Sequence, residues 1–288
     1  GRRAARQDPL RRLRRIVTGL LRAVAIAVAL FIAVFPLFWV VTSAFKKPAA
    51  VNRLPPILIF SPTVENFITV WQERFLFYFE NSVVITGGSV AITVAIGVLA
   101  AFGLSRLKIK FKRSMMIFIM SVRFSPYIVF ALPLFLMMSQ AGLIGYRPAI
   151  VFVYIIVNLP IVIWLMRSFF DDIPRELDEA AALDGATQFQ AFRKIVLPCA
   201  APGVATVTVL SFIFAWNEYL FALILSGRDA QTLTVGLTQF LGGMESAVRW
   251  GILSAWSVAV IAPVVVLLWS EWNRAVPSAR AALPVRMA

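Results

Sequence analysis

Long apolar runs constrain the fold of this chain more than any other feature of its sequence. An α-helix rises 1.5 Å per residue, so about 20 apolar residues cross the roughly 30 Å hydrocarbon core of a bilayer. Because 60 % of the 288 residues are hydrophobic, the chain carries more apolar surface than one soluble core of this length would bury. We therefore predict an all-α polytopic membrane protein with six transmembrane helices. The predicted spans lie near residues 20–45, 81–105, 114–139, 147–169, 199–226 and 251–272.

The distribution of Lys and Arg predicts the orientation of these spans. Twenty of the 28 basic residues fall on the side of the two termini, counting Arg22, while seven fall on the opposite side and Arg123 lies inside a span. Since cytoplasmic loops are rich in Lys and Arg, both termini are expected in the cytoplasm. The first apolar run is long enough to remain as a span instead of being cleaved as a signal peptide. The predicted parts are a basic cytoplasmic N-terminus 1–19, a transmembrane domain 20–272 and a cytoplasmic tail 273–288.

The residue types exclude several kinds of chemistry. The chain has no His and a single Cys199, so a structural zinc site, a Cys–His nucleophile and an internal disulfide are not expected. The basic residues behind the net charge of +14 lie between apolar runs and not along one soluble face, so nucleic-acid binding is not predicted. The sequence contains no GxxxxGK[ST] phosphate loop, and its first three spans are not repeated in its last three. We expect no catalytic residue, no metal and no cofactor in this chain.

The predicted spans and outer loops contain features that break regular helices. Pro126, Pro133 and Pro160 each remove a backbone donor, so the third and fourth helices are expected to be kinked or locally unwound. The outer segment 46–80 is predicted to form an ordered cap with a short helix at the membrane interface. The outer segments 46–80 and 227–250 would both face any component that delivers a solute to the outer surface.

One polar segment interrupts the apolar chain between the fourth and fifth spans. Six of the fourteen acids fall within residues 171–184, where Pro174 and the acids after it predict the first turn of a helix. Gly185 fits the left-handed position that ends this helix. Thr187 and Gln190 have the spacing of a capping box, which predicts the start of a second short helix. The cytoplasmic loop 171–198 should therefore project as two helices joined by a glycine.

The first short helix of this loop is predicted to carry a stripe of mostly small side chains bordered by acids. Leu177, Ala180, Ala181 and Asp184 recur at the spacing of one helix face. Such a hairpin could pack against its own spans or lie on the membrane surface. A membrane-surface helix normally has a basic polar face, whereas this one is acidic. The charge therefore favours a soluble partner.

A set of positions in this loop resembles the EAA motif of the membrane-spanning permease subunits of bacterial ABC importers. The matching residues are Glu179, Ala180, Ala181, Gly185, Ile195, Leu197 and Pro198. The resemblance implies a type I ABC importer permease fold whose first short helix is the coupling helix, docked in a cleft of a separate ATPase. The residues it assigns to coupling are Glu179, Ala180, Ala181, Asp184 and Gly185.

The flanking sequences resemble the carbohydrate-uptake branch of this family, which includes the six-span maltose permease subunit. The similar stretches are RSFFDDIPRELDEAAALDGAT, PCAAPG and FAWNEYLFAL. The resemblance implies alternating-access import of a sugar, oligosaccharide or polyol across the bacterial inner membrane. It also implies a second permease subunit, two copies of an ATPase that bind ATP and Mg²⁺, and a periplasmic or lipid-anchored solute-binding protein. The stretch VRFSPYIVFALPLF differs from the sequence that relatives commonly have at this position. The alternative that the chain is a permease for another solute, such as glycerol phosphate, therefore stays open.

A different class of protein, a membrane-embedded enzyme, is disfavoured by the sequence. Such an enzyme needs clustered polar catalytic groups at one interface, whereas the cytoplasmic acids here stand on a helix beside an alanine stripe. A lone secondary transporter would be driven by an ion gradient and is disfavoured by the missing internal repeat.

Five polar or aromatic residues within the predicted spans are candidates for the translocation path. Arg123 lies ~13 Å from the inner side at 1.5 Å per residue, where a charge is costly. It could serve the path, or it could be a structural partner of helix-end carbonyls or of the second permease chain. Asn217 and Glu218 lie next to aromatic residues, an arrangement that suits sugar hydroxyls but also an interfacial aromatic belt. Asn158 could line the same cavity or bond a neighbouring helix. The candidates are Arg123, Asn158, Trp216, Asn217 and Glu218.

Overall fold

A computed structural model describes residues 9–241 and 249–282, and every regular element in these residues is a helix. The first part comprises α1 (Pro9–Ala44), α2 (Pro48–Val51), α3 (Glu65–Gln72), α4 (Phe75–Arg106), α5 (Lys112–Phe124), α6 (Tyr127–Gln140) and α7 (Arg147–Asp171). The second part comprises α8 (Glu176–Leu183), α9 (Gln188–Ala191), a π-helical turn (Phe192–Val196), α10 (Leu197–Cys199), α11 (Ala201–Trp216), α12 (Leu220–Leu225), α13 (Leu233–Leu237), a 3₁₀ turn (Thr238–Phe240) and α14 (Trp250–Ala282).

Four helices in the described residues are long and apolar enough to cross a membrane, and two bent helix pairs raise the number to as many as six. The four helices cover Val17–Ala44, Phe75–Arg106, Arg147–Asp171 and Trp250–Glu271. The bent pairs are Lys112–Phe124 with Tyr127–Gln140, at 92°, and Gln188–Cys199 with Ala201–Trp216, at 75°. The predicted third span is therefore a broken helix, and the predicted fifth span starts at a sharp bend from the helix that precedes it.

The break between α5 and α6 has a local cause in the sequence. Pro126 has no backbone N–H and disfavours the helical conformation in the residue before it. Ser125 is accordingly extended, with φ −72° and ψ 141°. The expected kink at Pro126 is confirmed. Pro133 and Pro160, in contrast, lie inside helices that continue through them without local unwinding.

Other element bounds differ from the sequence-based expectation. The segment 46–80 contains two short helices, and α4 already begins at Phe75. The fifth span ends early because the backbone leaves the helix at residues 217–219 before α12 begins. Helix α14 continues through residues 273–282, which were predicted as part of the tail. Residues 1–8, 242–248 and 283–288, which belong to the predicted N-terminus, second outer loop and tail, lie outside the described residues.

Helices α4, α7 and α11 form the packed centre of the protein. Ile85 of α4 meets Ile150 and Val153 of α7 in one fully buried cluster, to which Phe221 of α12 also belongs. A second cluster lies toward the polar loop and includes Met166 of α7. Helix α1 instead packs mainly on α14 and leaves its apolar side chains exposed along the span, as a bilayer would require.

Gly203 marks a close approach between α11 and α7. A Cβ atom placed on Gly203 would lie 2.5 Å from the ring of Phe169, whereas one on Gly87 of α4 would meet nothing within 4 Å. We expect Gly203→Ala to cost about 1–3 kcal/mol through overpacking and to lower the thermal unfolding temperature of the detergent-solubilised protein. Gly87→Ala is the matched control and should not lower it. Unfolding of Gly203→Ala at the wild-type temperature would contradict the close packing.

Candidate coupling segment and translocation cavity

The polar loop contains the predicted helix, glycine and helix. Gly185 has φ +82°, a conformation that favours glycine, and its N–H donates to the Ala182 carbonyl at 3.0 Å. The Ala186 N–H donates to the Ala181 carbonyl at 2.9 Å, which completes a Schellman C-cap. The glycine therefore ends α8 as predicted. Pro174 precedes α8, which begins at Glu176, instead of lying in its first turn.

The second helix of the loop begins with the predicted capping box. The Thr187 N–H donates to Gln190 Oε1 at 2.8 Å, and the Gln190 N–H donates to Thr187 Oγ1 at 3.3 Å. This helix does not end near Arg193 and Lys194, because a π-helical turn there continues it to Cys199. Since this longer helix is joined to α11 at a bend, the loop connects directly to the fifth span.

The exposed face of α8 differs from the predicted stripe. Ala181 is buried, at 4 % exposure, because α8 packs against α9 and the π-helical turn. The stripe of small residues is therefore not uniformly available, which corrects the sequence-based expectation. Glu179, Ala180 and Asp184 are exposed, and Leu183 is 90 % exposed. The surface that α8 offers to a partner is thus acidic with one protruding apolar side chain.

An ion pair ties α8 to the end of α4. Arg106 Nε lies 2.7 Å from Asp178 Oδ2, with side-chain exposures of 9 % and 23 %. Arg106 Nη2 also donates to the Ile173 carbonyl at 2.9 Å, while Arg175 Nη2 donates back to the Ser105 carbonyl at 3.1 Å. These reciprocal bonds between α4 and the loop fasten α8 to a transmembrane helix.

A second link joins the same end of α4 to α7. Ser105 Oγ donates to Asp171 Oδ1 at 2.5 Å, and Arg167 pairs with Asp171 at 3.2 Å. Sequence reasoning counted Arg106 and Arg167 only as markers of the inner side. The surplus of acids in residues 171–184 was the available signal that nearby basic residues would be paired.

A cavity of about 880 Å³ opens between α5, α6, α7 and the broken fifth span. Its lining residues are Met120, Arg123, Phe124, Tyr127, Ile161, Trp164, Ile213, Phe214, Asn217, Glu218 and Tyr219. The cavity thus brings together three of the five predicted path residues, Arg123, Asn217 and Glu218. Its wall includes the non-helical backbone at 217–219, and irregular backbone at membrane depth is tolerated where it lines a cavity.

Arg123 is held by two aromatic rings at the break between α5 and α6. Its guanidinium carbon lies 4.4 Å from the ring centroid of Phe214 and 5.7 Å from that of Tyr127. Arg123 Nη1 also donates to the Tyr127 hydroxyl. Within the described residues no carboxylate forms an ion pair with Arg123. The structure therefore contains no salt bridge between Arg123 and Glu218.

Glu218 occupies the interruption of the fifth span. Its side chain is buried, and its two oxygens accept the backbone N–H groups of Phe221 at 3.1 Å and Ala222 at 3.2 Å. These amides lie in the first turn of α12, so the carboxylate caps that helix. The neighbouring Asn217 is exposed, and its Nδ2 donates to the Ile213 carbonyl at 2.8 Å.

Trp216 and Asn158 do not line this cavity. The buried Trp216 indole stacks on Phe212, and its Nε1 donates to the Val260 carbonyl of α14 at 2.9 Å. Asn158 Nδ2 donates to the Tyr154 carbonyl within α7 at 2.9 Å. Both side chains therefore make packing and helix contacts away from the cavity.

Sequence reasoning missed Tyr127 and Trp164 as lining residues. Tyr127 stands four residues after Arg123, a spacing that would place both on one helix face, and the expected break at Pro126 hid this relation. Trp164 lies in an apolar run, where a tryptophan gives no sign of the neighbour it faces.

Comparison with known proteins places these features in a family. Residues 93–276 match the family model described as "Binding-protein-dependent transport system inner membrane component". The chain is 35 % identical to the sulfoquinovosyl glycerol transport system permease protein SmoH of Agrobacterium fabrum, over 86 % of this chain and 87 % of SmoH. It is 31 % identical to the trehalose/maltose transport system permease protein MalG of Thermococcus litoralis, over 91 % of this chain and 92 % of MalG.

A solved structure has the same fold. It is the crystal structure of a bacterial ABC transporter involved in the import of the acidic polysaccharide alginate. The TM-score is 0.76 at 23 % sequence identity, with 89 % of this chain and 96 % of the solved chain covered.

Proposed function

The chain belongs to the family of binding-protein-dependent transport system inner membrane components, and from this premise we propose that its cavity is part of the path of a sugar, oligosaccharide or polyol. The predicted family and the all-helical permease fold are confirmed. The protein is a multi-pass permease of the inner membrane that works with a solute-binding protein, and it is a transport component, not an enzyme.

The cavity is the observation that carries the proposed solute class. It presents the aromatic rings of Trp164 and Tyr219 beside the polar side chains of Asn217 and Glu218. Rings beside amides and carboxylates suit sugars, which expose C–H faces and hydroxyl groups. Relatives whose names mention trehalose, maltose or sulfoquinovosyl glycerol support the same solute class.

The proposed partners are a second permease subunit, two copies of an ABC ATPase and a periplasmic or lipid-anchored solute-binding protein. The ATPase would bind ATP and Mg²⁺, since this sequence has no phosphate loop. The outer segments 46–80 and 227–250 are proposed to meet the binding protein. The excess of Lys and Arg on the side of the termini supports cytoplasmic termini.

We assign α8 as the coupling helix that docks on the ATPase. Its acidic surface supports this role, because the exposed Glu179 and Asp184 offer anchors for basic groups. The protruding Leu183 could fill an apolar cleft in the partner. The fastening of α8 to α4, whose end is in turn bonded to α7, supplies a route by which ATPase closure moves the spans.

Uptake by the full assembly tests the proposed function. We expect proteoliposomes containing both permease subunits, the ATPase and the binding protein to accumulate at least one solute from a panel of sugars and polyols. Accumulation should require ATP on the ATPase side, and vesicles lacking this chain are the control. Uptake driven by an ion gradient without the ATPase would contradict the proposal, as would import of another solute class alone.

A further inference from the structure

We propose that the cavity binds a sugar carrying one acidic group and that Arg123 contacts the anion. This inference rests on the proposed function and specifies its substrate class. It starts from a charge that the protein places at membrane depth and leaves without a carboxylate partner among the described residues. Ionisable residues in such places are expensive and ordinarily find a partner or serve a solute path.

The contacts of Arg123 hold its guanidinium but leave most of its donors unused. A guanidinium carries five N–H donors in one plane. Phe214 and Tyr127 lie against its carbon at ring distances of 4.4 and 5.7 Å, and the one hydrogen bond in the described residues goes to the Tyr127 hydroxyl. The remaining N–H groups can therefore bond a planar carboxylate or another oxyanion, which arginine binds with two parallel hydrogen bonds.

Glu218 lines the same cavity but does not neutralise Arg123. Each oxygen of Glu218 accepts a backbone amide, from Phe221 and from Ala222, and no ion pair joins Glu218 to Arg123. The carboxylate also accepts a hydrogen bond from the Tyr154 hydroxyl, so its acceptors are engaged within the protein. The cavity thus offers a cation at Arg123 and a free amide oxygen at the exposed Asn217, which suits a solute with an acidic group and hydroxyls.

The alternative is that Arg123 only holds α5 against α11 through its contact with Phe214. In that purely structural role Arg123 would need only its contact with Phe214. Loss of that contact would weaken the binding of every solute in the cavity equally. A solute contact instead predicts a loss confined to charged solutes. The ratio of affinities for a charged and a neutral sugar of the same shape separates the two roles.

Equilibrium binding to the purified full assembly, without the binding protein, measures this ratio. The two radiolabelled probes are methyl α-D-glucuronide and methyl α-D-glucoside, which differ in one carboxylate. We expect the assembly to bind the glucuronide about tenfold or more tightly than the glucoside, because charge-assisted bonds are roughly twice as strong as neutral ones. Arg123→Gln should remove this difference, and Arg123→Lys should retain part of it.

Lys108→Gln provides the matched control, since Lys108 is exposed on the inner loop after α4. It should keep the wild-type ratio. Equal binding of the two probes, absence of glucuronide binding, or a preference that survives Arg123→Gln would each overturn the inference. ATP-driven uptake of neutral sugars alone would overturn this inference and leave the proposed function standing. Absence of ATP-driven uptake of every sugar and polyol would overturn the proposed function itself.

Discussion

Glu179→Lys is expected to abolish solute uptake and solute-stimulated ATP hydrolysis while the chain still inserts into the membrane. Glu179 is exposed on α8 and forms no ion pair within the described residues, so its charge is available to a partner. Reversing a charge that is buried on docking costs about 3 kcal/mol or more, or about a hundredfold in the coupled rate. Uptake and ATP hydrolysis in proteoliposomes of the full assembly measure both effects.

Two further variants bear on the same prediction. Lys108→Glu reverses an exposed charge on the loop after α4 and should transport at the wild-type rate. Gly185→Pro should resemble Glu179→Lys, because proline cannot adopt the φ of +82° and loses the N–H that donates to Ala182. Transport that survives both Glu179→Lys and Gly185→Pro would refute the coupling assignment.

Arg106→Gln is expected to separate ATP hydrolysis from transport. The change removes the 2.7 Å ion pair with Asp178 and weakens the tie between α8 and α4. Removing one partner of a buried ion pair costs roughly 3–5 kcal/mol, and the partial exposure of Asp178 reduces this to about 1–3 kcal/mol. We expect uptake per ATP hydrolysed to fall about tenfold, because α8 then moves with less effect on the spans.

A double-mutant cycle tests whether the effect passes through this ion pair. Asp178→Asn should lower uptake per ATP similarly, and the double variant with Arg106→Gln should be little worse than either single variant. Strictly additive losses would show that the two side chains act independently. A fall in ATP hydrolysis that parallels the fall in uptake would show that Arg106 supports docking and not transmission.

Much of the polar loop could be predicted from sequence because its signals are local. The C-cap at Gly185 and the capping box at Thr187 each depend on residues within five positions of one another. The burial of Ala181 could not be predicted in this way. It depends on how α8 packs against the following π-helical turn, and hydrophobic periodicity does not specify the neighbour of a face.

The interruptions of the third and fifth spans also differ in whether local sequence predicts them. The break at Pro126 follows from proline chemistry, whereas the interruption at residues 217–219 contains no proline. There the buried Glu218 accepts two amides in the first turn of α12 and so replaces bonds within a continuous helix. A hydropathy count finds one apolar run long enough to cross the membrane and cannot detect this interruption.

By itself, the sequence determined the membrane environment, the helical class, the polar loop and the family resemblance, because these depend on composition, local spacing and contiguous motifs. The tertiary structure alone decided that Arg123, Asn217 and Glu218 share a cavity while Trp216 faces α14. It also decided that Arg106 fastens α8 through Asp178, 72 positions away along the chain. Such contacts join residues far apart in sequence, and they exist only after the helices have packed.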